Sequence, residues 1–250
     1  MKVQINPQFV YLESWIRSIH RKYPLSGQLL YSGRNVIKSF YTDGSEIVVK
    51  RYKHPDLFHA VVYTFFQKSK AQRAYIHAQE LIQRGFQTPT PIAWCECYRY
   101  GLLTDAYLFT LRTRKTPFTE AARKFPAPSV MPVVNAFIRY TISLHEAGIE
   151  HLDFNHSNIL FERHDDHDIR FELIDINRMK FHPKPLTPKQ CVVNLKRLFC
   201  PTIPYLYVLK HYAELRGWDE EKMLLHGTFL RLRFSYFKNL KHRIFPKRKK

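Results

Sequence analysis

Apolar and polar positions alternate between residues 29 and 52, which is typical of short β-strands. The pair Asp43-Gly44 interrupts this alternation, and it favours a tight hairpin turn because both residues tolerate a positive φ. The stretch after this turn is rich in β-branched residues and carries Lys50. The pattern predicts three strands joined by short turns, over Leu29–Tyr31, Val36–Tyr41 and Glu46–Tyr52.

Farther along the chain, apolar residues recur every three or four positions, which is the spacing of helices. Glycines follow two of these periodic segments and favour helix ends there. The predicted helices are 55–66, 71–82, 130–145 and most of the chain from Pro188 to about Phe245. Further strands are predicted from Thr88 onward, as a pair within 98–111, and over 158–161 and 170–175.

Strands dominate the first part of this order and helices the second, and a Pro-containing stretch over 116–132 connects them. The chain contains no internal repeat. We therefore expect a single α+β domain made of two unequal lobes. The first, over about 1–115, is a small antiparallel-sheet lobe, and the second, over 116–250, is mainly helical.

The composition is that of a folded protein. The chain has 250 residues, 45% of them hydrophobic and 15% aromatic, which is too many for a disordered chain. No apolar run approaches the roughly 18 residues that a membrane-spanning helix needs, and the first residues lack the apolar core of a signal peptide. We expect a soluble or surface-bound globular protein of the cytosol.

The four cysteines, Cys95, Cys97, Cys191 and Cys200, do not have the spacing of a zinc site or a disulfide scaffold. Free thiols in a reducing compartment are therefore expected. The formal net charge of +19 indicates an anionic partner. Nucleic acid, a phospholipid surface and a phosphate-bearing substrate all fit this charge, which alone does not choose among them.

The candidate chemistry lies between residues 144 and 178. Asp153 is followed five residues later by Asn158, then by an apolar strand, a polar turn and a second apolar strand that ends at Asp175. This is the arrangement of protein-kinase catalytic loops. Asp153 would accept the proton of an attacking hydroxyl, while Asn158 and Asp175 would hold Mg²⁺ on the triphosphate of ATP. His151 occupies the position of the structural catalytic-loop histidine.

The matching N-terminal part is a lysine in a strand. Lys50 would clamp the triphosphate oxygens, with Gly33 in the turn that precedes the paired strands. Strand alternation puts Val48 on the same face as Lys50, where the adenine of ATP would stack. A solvated strand lysine and an ordinary turn glycine are the competing interpretations. The polar segment 164–168 is interpreted as a solvated turn rather than a metal cluster.

These motifs resemble those of the lipopolysaccharide core kinases, small kinase-fold enzymes that phosphorylate 3-deoxy-D-manno-octulosonic acid (Kdo) or heptose in bacterial inner-core glycolipid. The resemblance implies a protein-kinase-like fold, ATP-dependent chemistry and a place at the cytosolic face of the inner membrane. It extends from about Tyr31 to Phe181 and includes Gly33-Arg34-Asn35, Lys50, and the segments 84–92, 144–149, 151–158 and 173–178.

The chain also departs from eukaryotic protein kinases. Asp175 begins Asp-Ile-Asn rather than Asp-Phe-Gly, and no Ala-Pro-Glu follows, so a peptide-docking activation segment is not expected. Glu80 is the one carboxylate between Asp56 and Glu96, and we assign it as the partner of Lys50. A small-molecule kinase of the aminoglycoside or choline kinase type and an inactive kinase-fold binding protein are the alternatives.

The C-terminal tail, residues 229–250, is strongly basic, because no acidic residue follows Glu221. Leu230, Phe234, Phe237 and Ile244 are spaced to form a helical stripe within it. Binding to an anionic membrane surface and a packed helix with a solvated outer face both fit. Nucleic-acid binding is not expected, since no such motif is present. The oligomeric state is left open.

Overall fold

The computed structural model describes residues 1–198 and 201–244. Cys200 and the basic residues Lys247–Lys250 lie outside the described residues. The chain forms two compact units, the first made of Met1–Arg114 together with Asp175–Arg178, and the second of Lys115–Ile174 and the chain from Met179 onward.

The first unit contains an antiparallel sheet in the order β1-β5-β6-β4-β3-β2. Its strands are β1 (Lys2–Ile5), β2 (Gln28–Ser32), β3 (Val36–Thr42), β4 (Ser45–Arg51), β5 (Pro91–Arg99) and β6 (Leu102–Leu111). Its helices are α1 (Glu13–Arg17), α2 (Ile19–Leu25), α3 (Leu57–Val61), continued by a π-helical turn over Val62–Phe66, and α4 (Lys70–Gln83). Short 3-10 turns cover Pro7–Leu12 and Ile176–Arg178.

Strands β2, β3 and β4 confirm the three predicted strands. Their alternation directs Ile47 and Val49 into a core that includes Ile16 of α1 and Phe109 of β6. The opposite face of β4 carries Val48 and Lys50, which are only partly exposed. The side of the strand that holds the candidate ATP-binding residues is therefore the one turned away from this core.

Strands β5 and β6 differ from the sequence pattern, which places one strand after Thr88 and a separate pair within 98–111. The structure has a single hairpin that turns at Tyr100-Gly101, with Glu96 paired to Ala106. The difference arises because Ile92 to Cys95 are buried on both faces of the sheet and do not alternate.

Helix α4 begins at the cap residue Ser69, whose hydroxyl accepts a hydrogen bond from the Gln72 N–H at 3.2 Å. Its apolar face packs on the sheet through Ala71 and Tyr75, which join a buried cluster with Tyr52 of the segment after β4. Tyr52 thus connects the segment after β4 to the packed face of α4.

The second unit is mainly helical, with two small sheets in the orders β10-β9-β7 and β11-β8. Its strands are β7 (Thr116–Pro117), β8 (Ile149–Glu150), β9 (Ile159–Arg163), β10 (Ile169–Leu173) and β11 (Lys180–Phe181). Its helices are α5 (Thr119–Lys124), α6 (Met131–Glu146), α7 (Pro188–Leu195), α8 (Thr202–Leu215) and α9 (Glu220–Ile244).

The core of this unit is aromatic. Phe137 of α6 lies 5.9 Å from the ring of Phe154 and 6.0 Å from that of Phe171 on β10, as measured between ring centroids. This cluster holds the hairpin β9–β10 and the segment 151–158 against α6. Among residues 1–198 and 201–244, no helix combines the length and apolarity needed to cross a bilayer.

Candidate active site

Lys50 and Asp175 form an ion pair within the first unit. Lys50 Nζ lies 2.7 Å from Asp175 Oδ1, and the two side chains are 15% and 33% exposed. The ammonium group also lies 5.2 Å from the centroid of the Tyr52 ring. Burial and the nearby Asp175 carboxylate raise the pKa of the Tyr52 hydroxyl, so this ring remains neutral. The candidate phosphate clamp, Lys50, and one candidate metal ligand, Asp175, therefore lie side by side.

The turn that carries Asp175 is held on several sides. Asp175 adopts φ = +56°, a conformation that is uncommon outside glycine. Asn177 donates from Nδ2 to Asp175 Oδ1 at 2.8 Å, and His77 of α4 donates from Nδ1 to the Ile176 carbonyl at 2.8 Å. Burial lowers the pKa of His77, which keeps the ring neutral at pH 7. These contacts fix the orientation of the Asp175 carboxylate.

Glu80 is not the partner of Lys50, and that assignment is wrong. The Glu80 carboxylate pairs with Arg84 one turn farther along α4, at 2.7 Å. The reason is geometric. The Asp175 turn meets α4 at His77, and Glu80 lies three residues, or about 4.5 Å of helix rise, beyond that point.

The side of α4 near the Asp175 turn carries cations instead of a carboxylate. The pKa of Lys70 is lowered, first by partial burial and then by the charges of Arg34, Arg178 and Arg73. The Nε of Arg73 is buried and has no hydrogen-bond partner among the described residues. The absence of acidic residues between 57 and 79 is the sequence signal for this surface.

Gly33 and Val48 lie in the same sheet as Lys50. Gly33 is in the turn between β2 and β3 and donates its N–H to the Asn35 carbonyl at 3.1 Å. Asn35 in turn accepts from the Lys53 N–H at 3.1 Å, which ties this turn to the segment after β4. Val48 pairs with Ser39 of β3 and with Thr110 of β6.

Asp153 and Asn158 lie on one loop of the second unit. Asn158 donates from Nδ2 to the backbone carbonyl of Asp153 at 3.0 Å, and Asn155 donates to Asp153 Oδ1 at 3.3 Å. No described residue bonds to Asn158 Oδ1. The loop is therefore closed mainly through the Asp153 backbone, and the Asp153 carboxylate has one long contact, with Asn155. The Asn158 amide oxygen remains available for chemistry.

His151 orients this loop from beneath. The buried ring donates from Nε2 to the Ile174 carbonyl at 3.0 Å and accepts the Asp153 N–H on Nδ1 at 3.1 Å. A carbonyl needs a donor and an N–H needs an acceptor, so the ring is neutral with its proton on Nε2. The structural role predicted for His151 therefore has a definite geometry.

A buried polar network supports His151 in turn. Asn194 of α7 donates to the His151 carbonyl at 2.8 Å and accepts from His145 Nε2 at 3.1 Å. The hydroxyl of Tyr212 on α8 donates to His145 Nδ1 at 2.9 Å. Burial lowers the pKa of His145 to about 4, so the imidazole is neutral. The sequence pattern did not identify this network, because its members lie on three separate helices and the loop.

The hairpin β9–β10 begins directly after Asn158. Asn158 accepts the Ile174 N–H on its carbonyl at 3.0 Å, directly beyond the pair Ile159–Leu173. Asp175 is the next residue along the chain. The polar tip of the hairpin is a turn in which Asp165 accepts the N–H groups of His167 and Asp168. Within the described residues, no three histidine, cysteine or acidic side chains are grouped so that they could hold a metal ion together.

The sequence model of the lipopolysaccharide kinase (Kdo/WaaP) family matches residues 41–202, which is more than half of the chain. The chain belongs to this family. It is therefore a kinase, a phosphotransferase with an alcohol group as acceptor. The matched region contains Lys50, Asp153, Asn158 and Asp175.

A solved structure supports the fold. A structure titled WaaP in complex with acyl carrier protein matches with a TM-score of 0.61 and 15% identity, covering 98% of this chain and 100% of that chain. A MAP kinase from Leishmania major also matches, with a TM-score of 0.43 and 16% identity over 87% of this chain and 65% of that chain. No curated protein matches significantly. The family match and the WaaP structure confirm the predicted kinase-like α+β fold.

Proposed function

We propose that this lipopolysaccharide kinase family member transfers the γ-phosphoryl group of ATP to a sugar hydroxyl, on Kdo or heptose, of the lipopolysaccharide inner core. The observation that carries the proposal is the pair formed by Lys50 Nζ and Asp175 Oδ1 at 2.7 Å. In kinases, a strand lysine binds the nucleotide phosphates and an aspartate after the catalytic hairpin binds their metal ion.

The nucleotide site is assigned to the first unit. Lys50 would bind the phosphates as a charged donor, the backbone of the turn at Gly33 would face the triphosphate, and Val48 would pack on the adenine. Glu80 has no part in this site, because its carboxylate is paired with Arg84. The cations of α4 add positive potential near the phosphates.

The residues present fit a magnesium ion. Mg²⁺ prefers oxygen ligands, and the motif supplies the Asp175 carboxylate and the Asn158 amide oxygen. Asn158 Nδ2 is held by the Asp153 carbonyl, which leaves the oxygen of the amide as the donor for a metal. The ion would neutralise charge on the triphosphate oxygens.

Asp153 is assigned as the catalytic base. Its carboxylate would accept the proton of the acceptor hydroxyl as that oxygen bonds to the γ-phosphorus, while the bond to the bridging oxygen breaks and ADP leaves with the electron pair. Because the loop is closed through the Asp153 backbone, the carboxylate can take a proton without disturbing the fold. The acceptor is borne by a glycolipid, so we place the enzyme at the cytosolic face of the inner membrane.

The test is phosphoryl transfer from labelled ATP to inner-core glycolipid carrying Kdo or heptose, with choline and an aminoglycoside as competing acceptors. Transfer to the core sugar that is lost in Asp153→Asn supports the proposal. Asp166→Asn, at the exposed hairpin tip, is the matched control and should retain activity. Transfer only to choline or the aminoglycoside would indicate a small-molecule kinase. Binding of Mg-ATP without transfer to any acceptor would indicate a binding protein.

A further inference from the structure

Helix α9 packs on the second unit through one face. Met223 and Gly227 are buried, and Tyr205 of α8 donates its hydroxyl to the Gly227 carbonyl at 3.1 Å. The ring of Phe234 lies 5.4 Å from the guanidinium of Arg197. Two members of the predicted apolar stripe, Leu230 and Phe234, are only partly exposed and belong to this packed side.

A second apolar stripe lies on the outer side of the same helix. Its residues are spaced by three or four positions, which keeps them within one narrow strip of a helix with 3.6 residues per turn. The strip is about opposite to Met223, Gly227 and Phe234. It consists of Leu225, Phe229, Leu232, Tyr236 and Leu240, which are 75%, 58%, 65%, 64% and 37% exposed.

Packing within the fold does not explain this outer stripe, because from Met223 to Phe234 the residues that contact the rest of the fold lie on the other side of the helix. Isolated exposed apolar residues are common on proteins, but an aligned row of five over four turns is typical of a surface that meets an apolar phase. The row lies on a helix in which every charged side chain after Glu221 is basic. Exposed Arg233 and Arg243 are among these cations.

These charges distinguish between the possible occupants. A second copy of α9 laid on the stripe would bring two wholly basic helices together, and like charges at close range oppose association. An anionic bilayer accepts apolar side chains between its headgroups and attracts the flanking cations. Of these two occupants, the bilayer is the one that satisfies both features.

We propose that α9 lies in the plane of an anionic membrane, with the stripe Leu225–Leu240 inserted at the headgroup boundary and the basic residues at the lipid phosphates. The proposal deepens the proposed function, on which it rests for the membrane-borne acceptor, by naming the surface that docks. Its test measures lipid binding without catalysis, so the two can fail separately.

The test is co-sedimentation of the full chain with vesicles of phosphatidylcholine alone or mixed with phosphatidylglycerol. The stripe variant is Leu225→Gln/Phe229→Ser/Leu232→Gln. The matched control likewise replaces two leucines and one aromatic residue at exposed positions elsewhere, as Leu25→Gln/Tyr41→Ser/Leu215→Gln, where the side chains are 87%, 79% and 55% exposed. We expect at least a tenfold loss of binding to mixed vesicles for the stripe variant and less than a twofold change for the control.

The depth of insertion gives a second measurement, which does not depend on a loss of vesicle binding. Lipids brominated on their acyl chains should quench the tryptophan fluorescence of Phe229→Trp more than that of the wild type. They should quench the fluorescence of Tyr41→Trp no more than that of the wild type. Equal binding of stripe and control variants, or no quenching at position 229, would overturn the proposal. The proposal would also be overturned if the wild type were a dimer and the stripe variant a monomer, since the stripe would then be a contact between copies.

The outcomes that test membrane docking can be distinguished from those that test the proposed function. A stripe variant that loses vesicle binding yet phosphorylates a water-soluble inner-core oligosaccharide at the wild-type rate supports both proposals. A wild-type protein that binds vesicles through the stripe but transfers phosphate to no sugar would overturn the proposed function alone.

Discussion

The two loops that carry the candidate catalytic carboxylates are held in different ways. The Asp175 turn is held through the carboxylate itself, which bonds Lys50 and Asn177, and it adopts a positive φ. The Asp153 loop is held through its backbone, above a neutral buried network that ends at Tyr212. In the first loop the reactive carboxylate is also the main anchor, whereas in the second the main anchors are backbone groups and the carboxylate accepts only one long bond, from Asn155.

This difference predicts which substitutions affect stability and which affect catalysis. A change at Asp175 or Lys50 removes a structural contact together with a functional one. A change at Asp153 should remove function and leave structure intact, while a change in the network beneath it should do the reverse. The predictions below follow this division, from the largest expected effect to the smallest.

Asp153→Asn should lower kcat by about 10²–10⁴-fold, because the amide cannot accept the hydroxyl proton. The melting temperature should stay within about 2 °C of wild type, since the loop is closed by backbone groups that the variant keeps. Steady-state kinetics and calorimetry measure the two quantities. Near-normal turnover on the true acceptor would show that another group is the base.

Lys50→Met should lower kcat by about 10²-fold, because the phosphates lose a charged partner. Unlike the preceding variant, it should also cost stability, since Asp175 keeps Asn177 but loses its ion pair. A decrease of a few degrees in melting temperature is expected for about 1 kcal/mol. Lys38→Met, which removes a lysine of β3 that bonds backbone carbonyls, is the comparison and should lower stability without the kinetic effect.

Asn194→Ala should lower the free energy of unfolding by about 2–3 kcal/mol, because the His151 carbonyl and His145 Nε2 both lose a buried partner. The kcat of the folded fraction should change less than in Lys50→Met. Urea unfolding and activity per folded molecule test this. A large loss of kcat with unchanged stability would show that the network acts on the reaction directly.

Stability should also depend on pH through His145. Its folded pKa of about 4 lies below the value of about 6.5 in an unfolded chain, so the unfolded state binds the proton more tightly. The contribution is complete above about pH 6.5 and is lost as the pH falls toward 4, at up to about 1.4 kcal/mol per pH unit. Unfolding curves at pH 5 and 7 should show a shallower dependence for His145→Gln. Identical dependence in both proteins would assign the titration to another group.

The parts of the fold that the sequence predicted depend on local pattern. Alternation and the Asp43-Gly44 turn located β3 and β4, and the spacing from Asp153 to Asp175 located the loop and its hairpin. The pairing of β1 with β5 was not predictable, since Gln4 and Trp94 are 90 residues apart and meet only in the folded sheet. A pattern among residues that are close along the chain carries no information about such long-range pairing.

The candidate site shows the same limit. Lys50 could be chosen from its strand, but its ion pair with Asp175 spans 125 residues. Glu80 was chosen because it is the one carboxylate between Asp56 and Glu96. In the structure, α4 meets the turn at Ile176 through His77, and the Glu80 carboxylate pairs with Arg84 instead. The outer stripe of α9 was also hidden, because periodicity alone does not tell which of two apolar sides is packed.

The first unit is discontinuous along the chain, and this has a consequence for how the protein can be divided. Asp175–Arg178 belong to it although 60 residues of the other unit, Lys115–Ile174, separate them from Arg114. A fragment that ends at Arg114 would leave Lys50 without Asp175 and His77 without the Ile176 carbonyl. During synthesis, the first unit therefore acquires its last internal contacts only after Arg178 has left the ribosome, when the segment Lys115–Ile174 of the other unit has also emerged but the chain from Met179 onward has not.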